Sequence, residues 1–175
     1  MKKYILTALL LIAVALPASA QILSLKAGIS QDGAVSMNIP INNISGEVRL
    51  GRSFSAQATV GLRKHEDSRP GYSFKSRHLG LQFRSYILLR QNKFLNGLYV
   101  AASTMHSLFS SPDGNDNPIK SRTTNVGIGA GYQQTFLKII TIDGGMILNH
   151  PLEKGTQFPI KQYGAYGYLQ LGLTL

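Results

Sequence analysis

Cysteine and tryptophan are both absent from this 175-residue chain. Without cysteine there are no disulfides, thiolate metal sites, cysteine nucleophiles or acylated lipoprotein N-terminus. Acidic residues are scarce: 8 Asp+Glu stand against 18 Lys+Arg, giving a formal net charge of +10. Charge of either sign is sparse, at 15% of residues, and no dense Lys/Arg cluster marks a nucleic-acid surface. Past Gln21 no stretch keeps a helical apolar period for three turns. Glycine is abundant, with 18 residues, as is tyrosine, with 8, in a chain that is 43% hydrophobic. That composition favours strands and turns, and the length fits one domain.

The one long apolar run is N-terminal. Lys2 and Lys3 precede a mostly apolar stretch from Tyr4 to Leu16, Pro17 breaks it, and Ala18-Ser19-Ala20 supplies small residues at a cleavage site. This reads as a secretory signal peptide over residues 1–20, with residues 21–175 as the exported domain. The run is too short for a spanning helix, which needs about 20 apolar residues. Export points to a bacterial envelope.

The exported part alternates apolar and polar residues with period two. Phe54, Ala56, Ala58, Val60 and Leu62 alternate with Ser55, Gln57, Thr59, Gly61 and Arg63. Similar alternation covers Leu79–Leu89, Val126–Gln133 and Tyr166–Leu175, with weaker versions at Leu23–Ile29, Ile44–Leu50, Leu98–Met105 and Lys138–Leu148. Eight strands are predicted, most of them about 9–11 residues long. Links near Arg52-Ser53, Gln91–Asn96 and Phe136-Leu137 are short. Those at Gln31–Asn43, Lys64–Lys75, Ser110–Lys120 and Asn149–Gln162 are long and rich in Gly, Pro, Asn, Asp and Ser. In an antiparallel up-and-down sheet this alternation gathers the long links at one end, as in an outer-membrane barrel.

Alternation alone does not distinguish a barrel in lipid from a soluble exported β-protein. The glycines do: Gly28, Gly61, Gly80, Gly127, Gly129 and Gly131 all fall in the polar set, where a solvated sheet surface is weakened by them. Inside a narrow barrel they leave room for large side chains opposite. The predicted fold is all-β, an eight-stranded antiparallel up-and-down transmembrane β-barrel with apolar residues facing lipid. Phe54, Tyr132 and Phe136 would band the short-turn end, and Phe74, Phe109, Phe158, Tyr163 and Tyr166 the other.

Two paired segments carry a family resemblance: GLQFRSYILLR at Gly80–Arg90 with GLYVAA at Gly97–Ala102, and VGIGAGYQQTF at Val126–Phe136 with ITIDGGM at Ile140–Met146. In these the chain resembles the small eight-stranded outer-membrane barrels of the OmpX and OmpA-transmembrane-domain type, including exported barrel families of unknown function. The resemblance implies a bacterial outer-membrane location and a barrel inserted by the barrel-assembly machinery, expected here as a monomer. It also implies lipid and lipopolysaccharide as surroundings. Such barrels usually end in an aromatic that the machinery reads, whereas this chain ends at Leu175.

With apolar residues facing lipid, Lys26, Glu47, Arg49, Arg63, Arg84 and Asp143 point into the lumen. Buried charges must pair, so Glu47 and Asp143 are each expected to hold two cations, bridged by Gln57, Gln82 and Gln133. An eight-stranded barrel is just wide enough for its own side chains, which favours a filled lumen over a pore. Around the rim, Lys64, Arg69, Lys75, Arg77, Lys120 and Arg122 are placed to contact lipopolysaccharide phosphates.

Some barrels that this one resembles modify lipid A, as deacylases or acyltransferases. That chemistry needs a nucleophile, a base and an orienting acid. His106 and Ser107 are adjacent, so on a strand they face opposite sides, and His65, Asp67 and Ser68 lack a scaffold. His65 and His78 read as solvated rim residues. Four histidines without ligand spacing give no metal site, and Gly127, Gly129 and Gly131 do not open a helix as a phosphate loop would. The sequence therefore points to a non-enzymatic barrel without a cofactor, whose long loops carry adhesion, envelope integrity or ligand binding.

Overall fold

A computed structural model describes residues 23–32, 40–65, 73–87, 96–112, 118–152 and 164–175. The predicted signal peptide lies outside them. Eight strands follow in order: β1 (Leu23–Asp32), β2 (Ile41–Arg49), β3 (Phe54–His65), β4 (Phe74–Tyr86), β5 (Gly97–Pro112), β6 (Pro118–Phe136), β7 (Ile140–Pro151) and β8 (Gly164–Thr174). Each pairs antiparallel with its sequence neighbours, and β8 returns to β1 in a register running from Ser24↔Thr174 to Asp32↔Tyr166. The sheet is thus a closed eight-stranded all-β barrel with no open edge around its girth. Closure satisfies backbone N–H and C=O groups internally, the condition for crossing lipid with strands.

The two faces are inverted relative to a soluble barrel. Leu25, Ile29, Ile44, Phe83, Ile128, Leu148, Leu169 and Leu171 point outward and stay exposed, Ile128 at 70% and Ile44 at 68%. Soluble monomers rarely expose apolar patches larger than a few hundred Å², so a belt running round every strand belongs in a bilayer. The buried face is mostly polar: Lys26, Ser45, Glu47, Gln57, Arg84, Gln133, Asp143 and Gln170 all line the interior. The six glycines of the polar set do face inward, and at all but Gly80 a Cβ would clash with a neighbour. A Cβ on Gly61 would sit 2.8 Å from Ile41 Cγ2, and one on Gly131 would sit 2.5 Å from Tyr99 Cζ.

The links differ from their expected lengths. β4 stops at Tyr86, so the connection to β5 spans 87–96, whereas that between β5 and β6 spans only 113–117. Among the described residues the last backbone bonds of β4 are Tyr86 N to Ser53 O (2.8 Å) and, just past the strand, Ile87 N to Leu98 O (2.9 Å). β3 begins at Phe54 opposite Ser85, and the last β4–β5 pair is Tyr86↔Tyr99. At the other end β5 and β6 continue pairing with each other as far as Pro112↔Pro118, so most of the expected loop at Ser110–Lys120 is hairpin. Long and short links therefore do not alternate strictly. The link between β6 and β7 is three residues, Leu137 to Ile139, with Leu137 at φ 50° and Lys138 at φ 64° at the centre of a turn closed by a hydrogen bond from Ile139 N to Phe136 O (3.0 Å).

The aromatic bands are also unequal. Phe54, Tyr132 and Phe136 are exposed outward near the short turns. At the far end Tyr166 is buried in the lumen, and Phe109 turns inward to meet His78 edge to face at 5.8 Å. Phe74 is half-buried beside His65, and Phe158 and Tyr163 lie outside the described residues. The expected outer girdle is not formed by Phe109 or Tyr166, because both occupy inward positions of the pleat.

Candidate functional site: the polar lumen and the basic rim

Strand parity sends Lys26 of β1, Glu47 of β2, Arg84 of β4 and Asp143 of β7 to one level of the barrel interior, where their side chains are wholly buried. Lys26 Nζ is 2.8 Å from Asp143 Oδ2 and also contacts Glu47 Oε2. Arg84 Nη1 lies 2.7 Å from Asp143 Oδ2 and 3.4 Å from Glu47 Oε2. Two cations and two carboxylates thus meet alternately, with no net charge among them. Each carboxylate touches both cations, a cyclic arrangement that compensates desolvation better than an isolated pair.

The remaining lone pairs and protons are satisfied by neutral groups. Glu47 Oε1 accepts from Tyr86 Oη at 2.8 Å and from Ser55 Oγ. Asp143 Oδ1 accepts from Tyr99 Oη at 2.7 Å. Arg84 donates to Gln82 Oε1 (3.0 Å) and Tyr168 Oη (3.1 Å), and its guanidinium stacks 4.4 Å from the Tyr99 ring centre. Lys26 also reaches Gln133 Oε1, with Gln57 Oε1 at 3.5 Å. Below this layer Thr135, Thr141, Thr174 and Ser24 hand hydroxyl hydrogen bonds along the short-turn end. Above it Gln170 joins Ser45, Gln57 and Asn43.

Two expected lumen cations lie apart from this cluster. Arg49 is half-exposed at the end of β2, where its Nε donates to the Gly51 carbonyl (2.7 Å) and its Nη2 to the Arg52 carbonyl (3.0 Å). Arg63 is buried, but it lies six residues along β3 from Gln57, about 20 Å at ~3.3 Å per residue. Its cross-strand partner is Ser76. The three tyrosines Tyr86, Tyr99 and Tyr168 were not assigned to the charges from the sequence. Their inward parity is visible in the alternation, but their height along the axis depends on register.

His78 corrects the reading of a solvated rim residue. It is only 7% exposed, with Nε2 2.8 Å from Ser76 Oγ and Nδ1 2.8 Å from Ser107 Oγ. Register places it there, since His78 is cross-strand from Ser107 and both point inward. His106 faces outward and meets Thr124 Oγ1 at 3.1 Å, so His106 and Ser107 do diverge as adjacent strand residues must. The cavity beside His78, shared with Gly61, Gln82, Asn149 and Tyr166, measures about 30 Å³, room for little more than a water molecule. Of the loop set, His65 is half-buried at the end of β3, and Asp67 and Ser68 lie outside the described residues.

The rim cations Lys64, Lys75, Arg77, Lys120 and Arg122 are exposed on outward positions of β3, β4 and β6, on strands rather than in loops. Arg69 lies outside the described residues. Lys64 is cross-strand from Lys75. Lys75 and Lys120 flank Ser110 of β5, and Arg77 and Arg122 flank Leu108.

Solved structures of bacterial proteins share this architecture. Neisserial surface protein A superposes with a TM-score of 0.60 at 14% identity, over 89% of this chain and 94% of its own. The N-terminal β-barrel domain of Pseudomonas aeruginosa OprF gives 0.56 at 15% identity, over 88% and 97%. The attachment invasion locus protein Ail of Yersinia pestis gives 0.52 at 10% identity, over 89% and 96%. The sequence itself matches no family model and no curated protein. The chain has the fold of the small eight-stranded outer-membrane β-barrels.

Proposed function

We propose that this protein is a non-enzymatic integral barrel of the bacterial outer membrane. In this reading residues 1–20 are removed on export, and the assembly machinery inserts residues 21–175 as a monomer. The links at the β1–β2, β3–β4, β5–β6 and β7–β8 ends carry adhesion, envelope integrity or ligand binding. The observation that carries it is the inverted polarity: a continuous exposed apolar belt around an interior closed by Lys26, Glu47, Arg84 and Asp143. An interior so filled leaves the ends of the barrel as the places where partners can be met. Neisserial surface protein A and the attachment invasion locus protein Ail, which share the fold, agree with such a role.

The rim cations are read as contacts to phosphates of the surrounding lipopolysaccharide. Against a lipid A-modifying enzyme stand the small cavity at His78 and the occupation of both its ring nitrogens by serines. The test is fractionation with heat-modifiable gel migration. The protein is expected in the outer-membrane fraction, running differently boiled and unboiled. A periplasmic protein with unchanged migration overturns the reading. Altered lipid A acylation on expression, read by mass spectrometry, overturns the non-enzymatic part.

A further inference from the structure

The outward surface above the apolar belt is not uniform around the barrel. On β4–β6 it carries Lys75, Arg77, Lys120 and Arg122, all exposed. Among the described residues none of these four heads has a hydrogen-bond or ion-pair partner. The two acids whose side chains are described on the strands, Glu47 and Asp143, both point into the lumen, so no described acid faces this side. On the opposite flank the corresponding outward positions are Gln31 and Ile29 of β1, Asn42 of β2, and Ala165 and Gly167 of β8, with no cation among them.

The next outward row toward the membrane, cross-strand in order, is Leu79, His106 and Thr124. His106 and Thr124 are hydrogen-bonded to each other at 3.1 Å; the next outward row holds Thr104 beside Leu81 and Val126, and Phe83, Val100 and Ile128 lie beyond it. Polar side chains on a lipid-facing wall are costly unless something polar meets them there. Two strand spacings of about 4.8 Å put Arg77 and Arg122 roughly 10 Å apart, one on each side of Leu108. That separation suits two anionic groups on one molecule better than a single shared phosphate.

We propose that this face of β4–β6 is a seat for one bis-phosphorylated glycolipid of the outer leaflet. Its phosphates are taken by Arg77 and Arg122, with Lys75 and Lys120 above them. Its polar linkage region lies against His106 and Thr124. The proposal rests on the outer-membrane reading and narrows general leaflet contact to one flank and one class of lipid. Arginine suits the role because its planar fork binds phosphate bidentately.

The experiment is native mass spectrometry of the full barrel released from vesicles containing bis-phosphorylated lipid A, phosphatidylglycerol or phosphatidylcholine. The wild type is expected to retain one lipid A molecule in preference to either phospholipid. The Arg77→Gln/Arg122→Gln variant is expected to lose at least about tenfold in retained fraction, the scale of two charge-assisted hydrogen bonds. Thr124→Val, which keeps every charge, is expected to weaken retention a few-fold, whereas Gln31→Leu on the far flank leaves it unchanged. Equal retention of phosphatidylglycerol, or an arginine variant that retains lipid A like the wild type, overturns the seat. If the barrel inserts and shifts with heat but retains no lipid A, the seat fails and the outer-membrane reading stands. A chain that does not insert fails on both.

Discussion

Arg84 of β4 and Asp143 of β7 meet across the barrel, Nη1 2.7 Å from Oδ2, although 59 residues separate them in the chain. Neither strand is a neighbour of the other in the sheet, so the contact crosses the lumen and fixes how opposite walls face each other. Removing one partner leaves the other charge buried and uncompensated, at a cost of about 3–5 kcal/mol. Asp143→Ala is therefore expected to lower the unfolding midpoint in denaturant markedly while single-channel conductance stays as in the wild type. A large conductance with normal stability would show that the cluster gates a pore instead.

The alternating arrangement of Lys26, Glu47, Arg84 and Asp143 makes the four residues energetically interdependent. Lys26→Met and Glu47→Gln each leave one unbalanced charge, and the double variant leaves Arg84 and Asp143 as a neutral pair. The double variant is expected to be more stable than the summed single effects predict, by at least about 1 kcal/mol, within the range seen for residues sharing one network. Strict additivity in a double-mutant cycle would argue that the two pairs act independently.

Leu137 and Lys138 both adopt positive φ in the β6–β7 turn, a conformation that costs an L-residue roughly 1–2 kcal/mol. Turns with positive φ at both central residues prefer Asn-Gly. Replacing Leu137 with Asn and Lys138 with Gly should raise the unfolding midpoint without altering the barrel, as judged by far-UV circular dichroism.

Gly131, which faces the lumen, and Gly167, which faces outward, test whether the inward glycines serve space. A Cβ on Gly131 would lie 2.5 Å from Tyr99 Cζ and 2.6 Å from the Gly144 carbonyl oxygen, whereas nothing lies within 4 Å of one on Gly167. Gly131→Ala should destabilise by about 1–3 kcal/mol through overpacking, and it displaces the tyrosine that donates to Asp143. Gly167→Ala should be neutral, within about 0.5 kcal/mol. Equal effects would remove the packing explanation.

Within the belt the strands could be read from the chain because lipid and lumen impose opposite demands on successive residues. Leu25, Ala27 and Ile29 against Lys26, Gly28 and Ser30 show both the strand and its faces. Above the belt that contrast disappears. Ser107, Phe109, Ser110 and Ser111 of β5, and Lys120, Ser121, Arg122, Thr123 and Thr124 of β6, are polar or mixed on both sides. Nothing in their order marks them as strand, so the sequence reads this hairpin as loop. The charged residues were visible by parity, but parity gives a face and not a height. Arg63 shares a face with Gln57 yet lies near His78, at a level that only the β3–β4 register determines. His78 was placed on the rim for the same reason.

Leu23 N donates to Leu175 O (3.3 Å) and Leu175 N donates to Leu23 O (2.8 Å), so the first and last described residues are themselves a ladder pair. The chain is linear, but its hydrogen-bonded order is a circle in which no strand is first. The position of the chain break around that circle is then immaterial to the finished barrel. Joining the two ends by a short linker and opening the β6–β7 turn at Leu137-Lys138 would give a permuted chain with the same inner layers and the same outward belt. The original break matters during assembly, because the circle stays open until β8, the last strand made, arrives beside β1.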